Sequence, residues 1–107
     1  MNAASVDRAH WTIGNGDRPP ALEVVLLKTT LVLSWNQFIF AEGSDDEVRI
    51  AFASHDVIVR GTGLSILLQA VTANQVSSIR EPGRSDRFPT NAARLIREIE
   101  VRRIDAD

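Results

Sequence analysis

Val48-Arg49-Ile50-Ala51-Phe52-Ala53-Ser54-His55-Asp56-Val57-Ile58-Val59-Arg60 is the stretch that sets the architecture. Val48, Ile50 and Phe52 alternate with Arg49, Ala51 and Ala53, the period-two pattern of a strand with one face on a core. Ser54-His55-Asp56 supplies turn-forming residues, and the β-branched run Val57-Ile58-Val59 has high sheet propensity. Two strands joined by a short reversal make a hairpin, so the centre of this chain reads as sheet.

Upstream of it, residues 42–47 (Glu-Gly-Ser-Asp-Asp-Glu) hold no apolar anchor and read as a solvated hairpin loop. In residues 31–40 the set Leu31, Leu33, Trp35, Gln37, Ile39 alternates with Val32, Ser34, Asn36, Phe38, Phe40. The apolar face at its start becomes mixed, which predicts a bulge or bend near Asn36-Gln37. Residues 22–27, apolar except for Glu23, read as a further strand that reverses at Lys28-Thr29-Thr30. Residues 1–20 show little apolar periodicity and end in Gly14-Asn15-Gly16-Asp17-Arg18-Pro19-Pro20, the pattern of a flexible N-terminal arm. Trp11 and Ile13 are its packing residues, and Trp11 is expected to plug a groove on its own domain.

Downstream, Gly61-Thr62-Gly63 ends the hairpin. Leu64, Leu67, Leu68 and Val71 then follow helical spacing, and Thr62 sits where a cap would lie, so the spacing predicts a helix over 63–72. Leu64, Ile66, Leu68 and Ala70 also alternate, which leaves a strand as the alternative there. Residues 76–80 read as a short strand and 81–89 as an exposed loop. Thr90 opens a second predicted helix over 90–100 with an apolar stripe of Ala92, Leu95, Ile96 and Ile99. Past it, Ile99 and Val101 alternate with Glu100 and Arg102, the signature of fraying or a short terminal strand.

These elements predict an α+β fold: a small antiparallel, twisted or barrel-like sheet of about five strands with one or two packed helices. The 107 residues suffice for one domain, here assigned to 21–107, with the arm before it. A hydrophobic fraction of 44% and a net charge of −2 fit a soluble globular chain without a global field toward nucleic acid or anionic lipid. The absence of cysteine excludes disulfides, thiol nucleophiles and thiolate-bound metal. No cofactor or metal-ligand spacing is present in the sequence, and the apolar window 21–41 is interrupted by Glu23 and Lys28, so no membrane span is expected. A cytoplasmic location is the corresponding expectation.

Charge is uneven. Residues 1–59 carry four basic and eight acidic groups, whereas 60–107 carry eight basic and six acidic. Arg80, Arg84, Arg87, Arg94 and Arg97, continued by Arg102 and Arg103, are the candidate anion- or partner-binding set, because guanidinium forks match phosphate and carboxylate. Glu81, Asp86, Glu98 and Glu100 lie among them, so a salt-bridged solvated surface is the plainer account. His55 beside Asp56 is the one adjoining imidazole and carboxylate, a weak acid–base candidate set against a simple turn. Gly61-Thr62-Gly63 before a helix invites comparison with phosphate cradles, although it lacks the remaining glycine and the lysine of that motif. Trp35, Phe38 and Phe40 form the densest aromatic group, read as core packing.

The run from Val48-Arg49-Ile50 to Val57-Ile58-Val59-Arg60-Gly61, with Leu64 and Val76 to Ile79 after it, resembles the strand–glycine–strand spacing of the small β-domains of the YabP/YqfC sporulation family. The resemblance implies a role for no residue. The expected function is a non-enzymatic protein-interaction or homo-oligomeric assembly module, whose partner is itself or another protein; a complementary contact between the acidic loop 42–47 and an Arg-rich face is one form of it. The alternative is a nucleotide- or RNA-binding small barrel using the Arg-rich C-terminal region. An enzyme built on His55 is the third reading and requires an apolar pocket beside that residue.

Overall fold

The computed structural model describes residues 11–13, 19–73, 75–83 and 95–104. In chain order they form β1 (Trp11–Ile13), β2 (Ala21–Val25), β3 (Thr30–Ser34), a 3-10 turn (Trp35–Gln37), β4 (Phe38–Gly43), β5 (Glu47–Phe52), β6 (His55–Thr62), α1 (Ser65–Thr72), β7 (Val76–Arg80) and β8 (Leu95–Arg103). The fold is α+β, as the patterning indicates.

The strands divide into two sheets of four, ordered β1-β7-β2-β3 and β4-β5-β6-β8, and neither closes into a barrel. This corrects the expectation of a single barrel-like sheet. The division falls where the apolar face changes: Ser34 accepts from the Asn36 main-chain N–H at 3.2 Å, the 3-10 turn forms, and the chain leaves one sheet to enter the other. A second correction concerns direction. β7 runs parallel to β2 and antiparallel to β1, so the first sheet is mixed.

Alternation decides which side chains face inward. Leu22 and Val24 of β2, Val48, Ile50 and Phe52 of β5, and Val57 and Val59 of β6 are fully buried. They meet Leu64, Leu67 and Val71 at the start and on one side of α1, and Val76 and Ile79 of β7, in a single core. Each such aliphatic or aromatic side chain contributes about 1.5–3 kcal/mol through burial. The helical reading of the 63–72 segment is therefore right, and the alternating one is not.

The predicted helix over 90–100 is a strand over its described part. Ile99 and Val101 lie opposite Val59 and Val57 of β6, and the register shifts so that Glu98 faces Arg60 while Ile96 faces Gly61. Arg97 is the extra residue of this bulge. By absorbing one position it keeps Ile96 and Ile99 on the inner face, so a spacing of three that mimics a helical stripe is satisfied in a strand. Residues 90–94 lie outside the described residues, as does the rest of the expected N-terminal arm apart from 11–13, 19 and 20; Trp11–Ile13 pair with β7.

Candidate functional site

The outer face of the second sheet gathers charge from four strands. Its cross-strand rows are Glu47–Arg60–Glu98, Glu42–Arg49–Ile58–Glu100 and Phe40–Ala51–Asp56–Arg102. Arg60 reaches Glu98 at 2.6 Å, Glu100 at 3.1 Å and Glu47 at 3.2 Å, and Arg102 reaches Glu100 at 2.8 Å. Arg49 bridges Asp56 at 2.8 Å and Glu42 at 3.5 Å while its guanidinium lies 5.3 Å from the Phe40 ring centre. Ile58, between Arg49 and Glu100 in its row, is only 5% exposed on what is nominally the solvent side.

The electrostatics follow from the pairing. Arg102, then Arg60, hold the Glu100 carboxyl below its ordinary range, and Glu98 and Glu100 raise the Arg60 guanidinium in turn. Five carboxylates meet three guanidiniums in this set of ion pairs, so the face is slightly acidic. It borders a concavity of about 660 Å³ lined mainly by charged side chains, with Gly43, Ser44 and the apolar Ile58 completing it. Ligand pockets are mostly apolar, and this one is a solvated ion ladder. Asp56 Oδ1 is buried and accepts no hydrogen bond from the described groups.

The candidate arginines do not converge on one described surface. Arg80 ends β7 in the first sheet, Arg97 lies on β8 in the second, and Arg84, Arg87 and Arg94 lie outside the described residues. The arginines that do gather, Arg49, Arg60 and Arg102, are matched by carboxylates. Sequence reasoning passed over Arg49 and Arg60, although the β5 alternation that places Val48 and Ile50 inward already placed Arg49 outward.

His55 and Asp56 open β6 rather than forming a turn, which corrects that reading; the reversal is Ala53-Ser54. Successive strand residues point to opposite faces. Asp56 therefore turns to Arg49 on the outer face, whereas His55 Nδ1 lies 2.7 Å from Ser54 Oγ. The two do not make an acid–base pair, and His55 does not line the charged concavity.

Gly63 and Ser65, at the start of α1, hold an anion of the protein's own, while the Gly61 N–H donates to the Asp46 carbonyl. Asp45, in the β4–β5 loop, accepts from the Gly63 N–H at 3.1 Å, the Ser65 N–H at 3.4 Å and the Ser65 hydroxyl at 3.1 Å. Its main-chain carbonyl accepts from the Leu64 N–H at 2.9 Å. Gly63 has φ of 69°, a conformation that favours glycine and turns these donors toward the loop. Those main-chain bonds, followed by the Ser65 hydroxyl, hold the Asp45 carboxyl below the usual carboxylate range. The helix N-terminus is thus capped from a distant segment rather than by Thr62.

Trp35, Phe38 and Phe52 form an aromatic cluster with ring centres 5.4–6.0 Å apart, and Trp35 Nε1 donates to the Val76 carbonyl at 3.1 Å. Phe40 stands apart from it, 41% exposed. The flank from the β2–β3 turn through β4 differs in character from the charged face. Residues 29–41 contain no charged side chain, and Leu27, Val32, Ile39 and Phe40 supply four of the six large apolar residues exposed among the described ones. β3 and β4 are also border strands of their respective sheets. Among the described residues no metal-binding cluster is present, and no helix is long and apolar enough to cross a membrane. No family model, curated protein or solved structure matches the chain, so the strand–glycine–strand resemblance carries no role into it.

Proposed function

We propose that this chain is a non-enzymatic protein-interaction module whose contact surface is the uncharged stretch formed by β3 and the first half of β4, residues 30–41. One observation carries the reading: thirteen consecutive residues, 29–41, carry no charge and include all of β3 and the first four residues of β4, and Leu27, Val32 and Ile39 stand exposed on or beside them. Border strands present main-chain donors and acceptors to any chain that comes alongside, and proteins ordinarily guard them with charge. Exposed apolar groups beside such an edge add the burial that makes association favourable.

The charged face supports the same reading by contrast. Its groups are engaged within the chain, and the β4–β5 reversal is tied to β6 and α1 through Asp45, Asp46 and Glu47. A contact through the uncharged flank is insensitive to salt, whereas one between complementary charged surfaces weakens as ionic strength rises. Light scattering over a range of protein and salt concentrations tests the reading. The expected result is a mass that rises above the monomer with concentration, persists in about 1 M salt and returns to the monomer in Val32→Lys. A monomer under every condition overturns it.

A further inference from the structure

Among the described residues four strands border the two sheets, and three of them are guarded. β1 is three residues long with a register shift before Ile13, β4 has a shift between Phe38 and Phe40 and carries Glu42, and β8 carries Arg97, Glu98, Glu100, Arg102 and Arg103. β3 is regular against β2 over all five residues and has no charge. Short length, bulges and charged side chains are the ordinary protections of a border strand, and β3 has only the first of them in modest degree.

The hydrogen-bond phase of β3 follows from its two ends. Leu26 N–H donates to the Thr29 carbonyl at 2.8 Å, and Trp35 N–H donates to the Pro20 carbonyl at 3.1 Å. Antiparallel pairs alternate between bonded and non-bonded positions. Counting inward from both ends, Leu31 and Leu33 direct their main-chain groups to β2, while Thr30, Val32 and Ser34 direct theirs to the open edge. Val32 also presents a side chain that is 61% exposed.

The order of these residues identifies the partner. Thr30-Leu31-Val32-Leu33-Ser34 reads nearly the same in both directions: a hydroxyl residue at each end, leucine at each flank and valine at the centre. A two-fold contact requires a surface complementary to itself, and a charge-free palindrome meets that requirement without opposing like charges. We propose that a second copy of this chain adds antiparallel to β3 about a two-fold axis through Val32, joining the two β1-β7-β2-β3 sheets into one continuous sheet.

In that arrangement Val32 faces its own copy and Thr30 faces Ser34 of the second copy, both in the bonded phase, giving roughly six main-chain hydrogen bonds. Glu23, which neighbours Val32 on β2, stands three strand spacings from its copy. That is roughly 14 Å, beyond the screening length of about 8 Å at physiological salt. The proposal rests on the interaction reading above and names the occupant and register of part of that flank.

The chain has no cysteine, so single thiols report the register cleanly. Facing residues of a bonded pair have Cα atoms about 5.5 Å apart, within disulfide reach. On mild oxidation Val32→Cys is expected to yield covalent dimer roughly tenfold or more faster than Thr30→Cys or Ser34→Cys alone, and a mixture of the latter two yields the mixed dimer. Val32→Pro removes an outward N–H and leaves the β2 pairing intact, so it is expected to remain folded by circular dichroism and to scatter as a monomer. Association by light scattering without preferential Val32→Cys dimer overturns this register and leaves the interaction reading standing. A native chain that is monomeric throughout overturns both.

Discussion

At Asp45, a single exposed carboxylate joins the β4–β5 loop to the first turn of α1, and its proton affinity records that junction. Hydrogen bonds from Gly63 and Ser65 lower its pKa in the folded state relative to the unfolded chain. A group with a lowered folded pKa contributes stability that is present above the unfolded value, about 4 for a carboxylate. That contribution is lost as pH falls through the folded value. Glu100 behaves in the same direction because of Arg102 and Arg60. Thermal midpoints are therefore expected to fall as pH drops below about 4, and Asp45→Ala is expected to have a lower midpoint at neutral pH with a shallower acid decline. At Asp56 the concern is hydrogen-bond satisfaction. Arg49 is the one described donor to its carboxylate, and Oδ1 already lacks one. Arg49→Ala leaves both oxygens unpaired, so a loss of about 1–3 kcal/mol is expected in urea unfolding, with much of it recovered when Asp56→Asn is added.

Among the elements, β6 holds the second sheet together. It is flanked by β5 and β8, and four consecutive residues from Asp56 to Val59 are buried, Val57 and Val59 on the core face and Asp56 and Ile58 on the charged face. Its amides are expected to exchange with deuterium only through global unfolding, while those of Thr30, Val32 and Ser34 exchange quickly in dilute protein and slow as concentration rises. Fast exchange along β6 would contradict its central place. The same scale shows why β8 was misread as a helix. Leu95, Ile96 and Ile99 fit a helical stripe, and only the availability of β6, with Gly61 accommodating the Arg97 bulge, makes the extended form the better one. The helix at 65–72 was legible because its buried residues, Leu67, Ala70 and Val71, lie on one side and follow directly from the buried Leu64.

Across the molecule, both sheets and α1 share one core, and Phe52 is the large residue at its aromatic end. Its ring lies 5.4 Å from Trp35 and 6.0 Å from Phe38, and it is fully buried. Phe52→Ala is expected to lower the unfolding free energy by about 3–5 kcal/mol, measurable by denaturant titration with tryptophan fluorescence as the signal. A much smaller effect would mean that the cluster collapses around the vacancy. The distribution of surface is the other property of the whole. One face carries a ladder of ion pairs with a small acidic excess, whereas residues 29–41 carry no charge at all.

The chain alone determined its local periods: the alternation of β5 and β6, a solvated reversal inside residues 42–47 that is confined to 44–46, the break near Asn36-Gln37 and the apolar side of α1. These are short-range matters, settled by whether neighbouring side chains point the same way. Tertiary structure decided what depends on distant partners: that β7 runs parallel to β2, that residues 95–103 extend beside β6, that Asp45 caps α1, and that His55 and Asp56 face apart. Each of those outcomes turns on groups far apart in sequence competing for the same hydrogen bonds or the same buried face, a competition that no local pattern records.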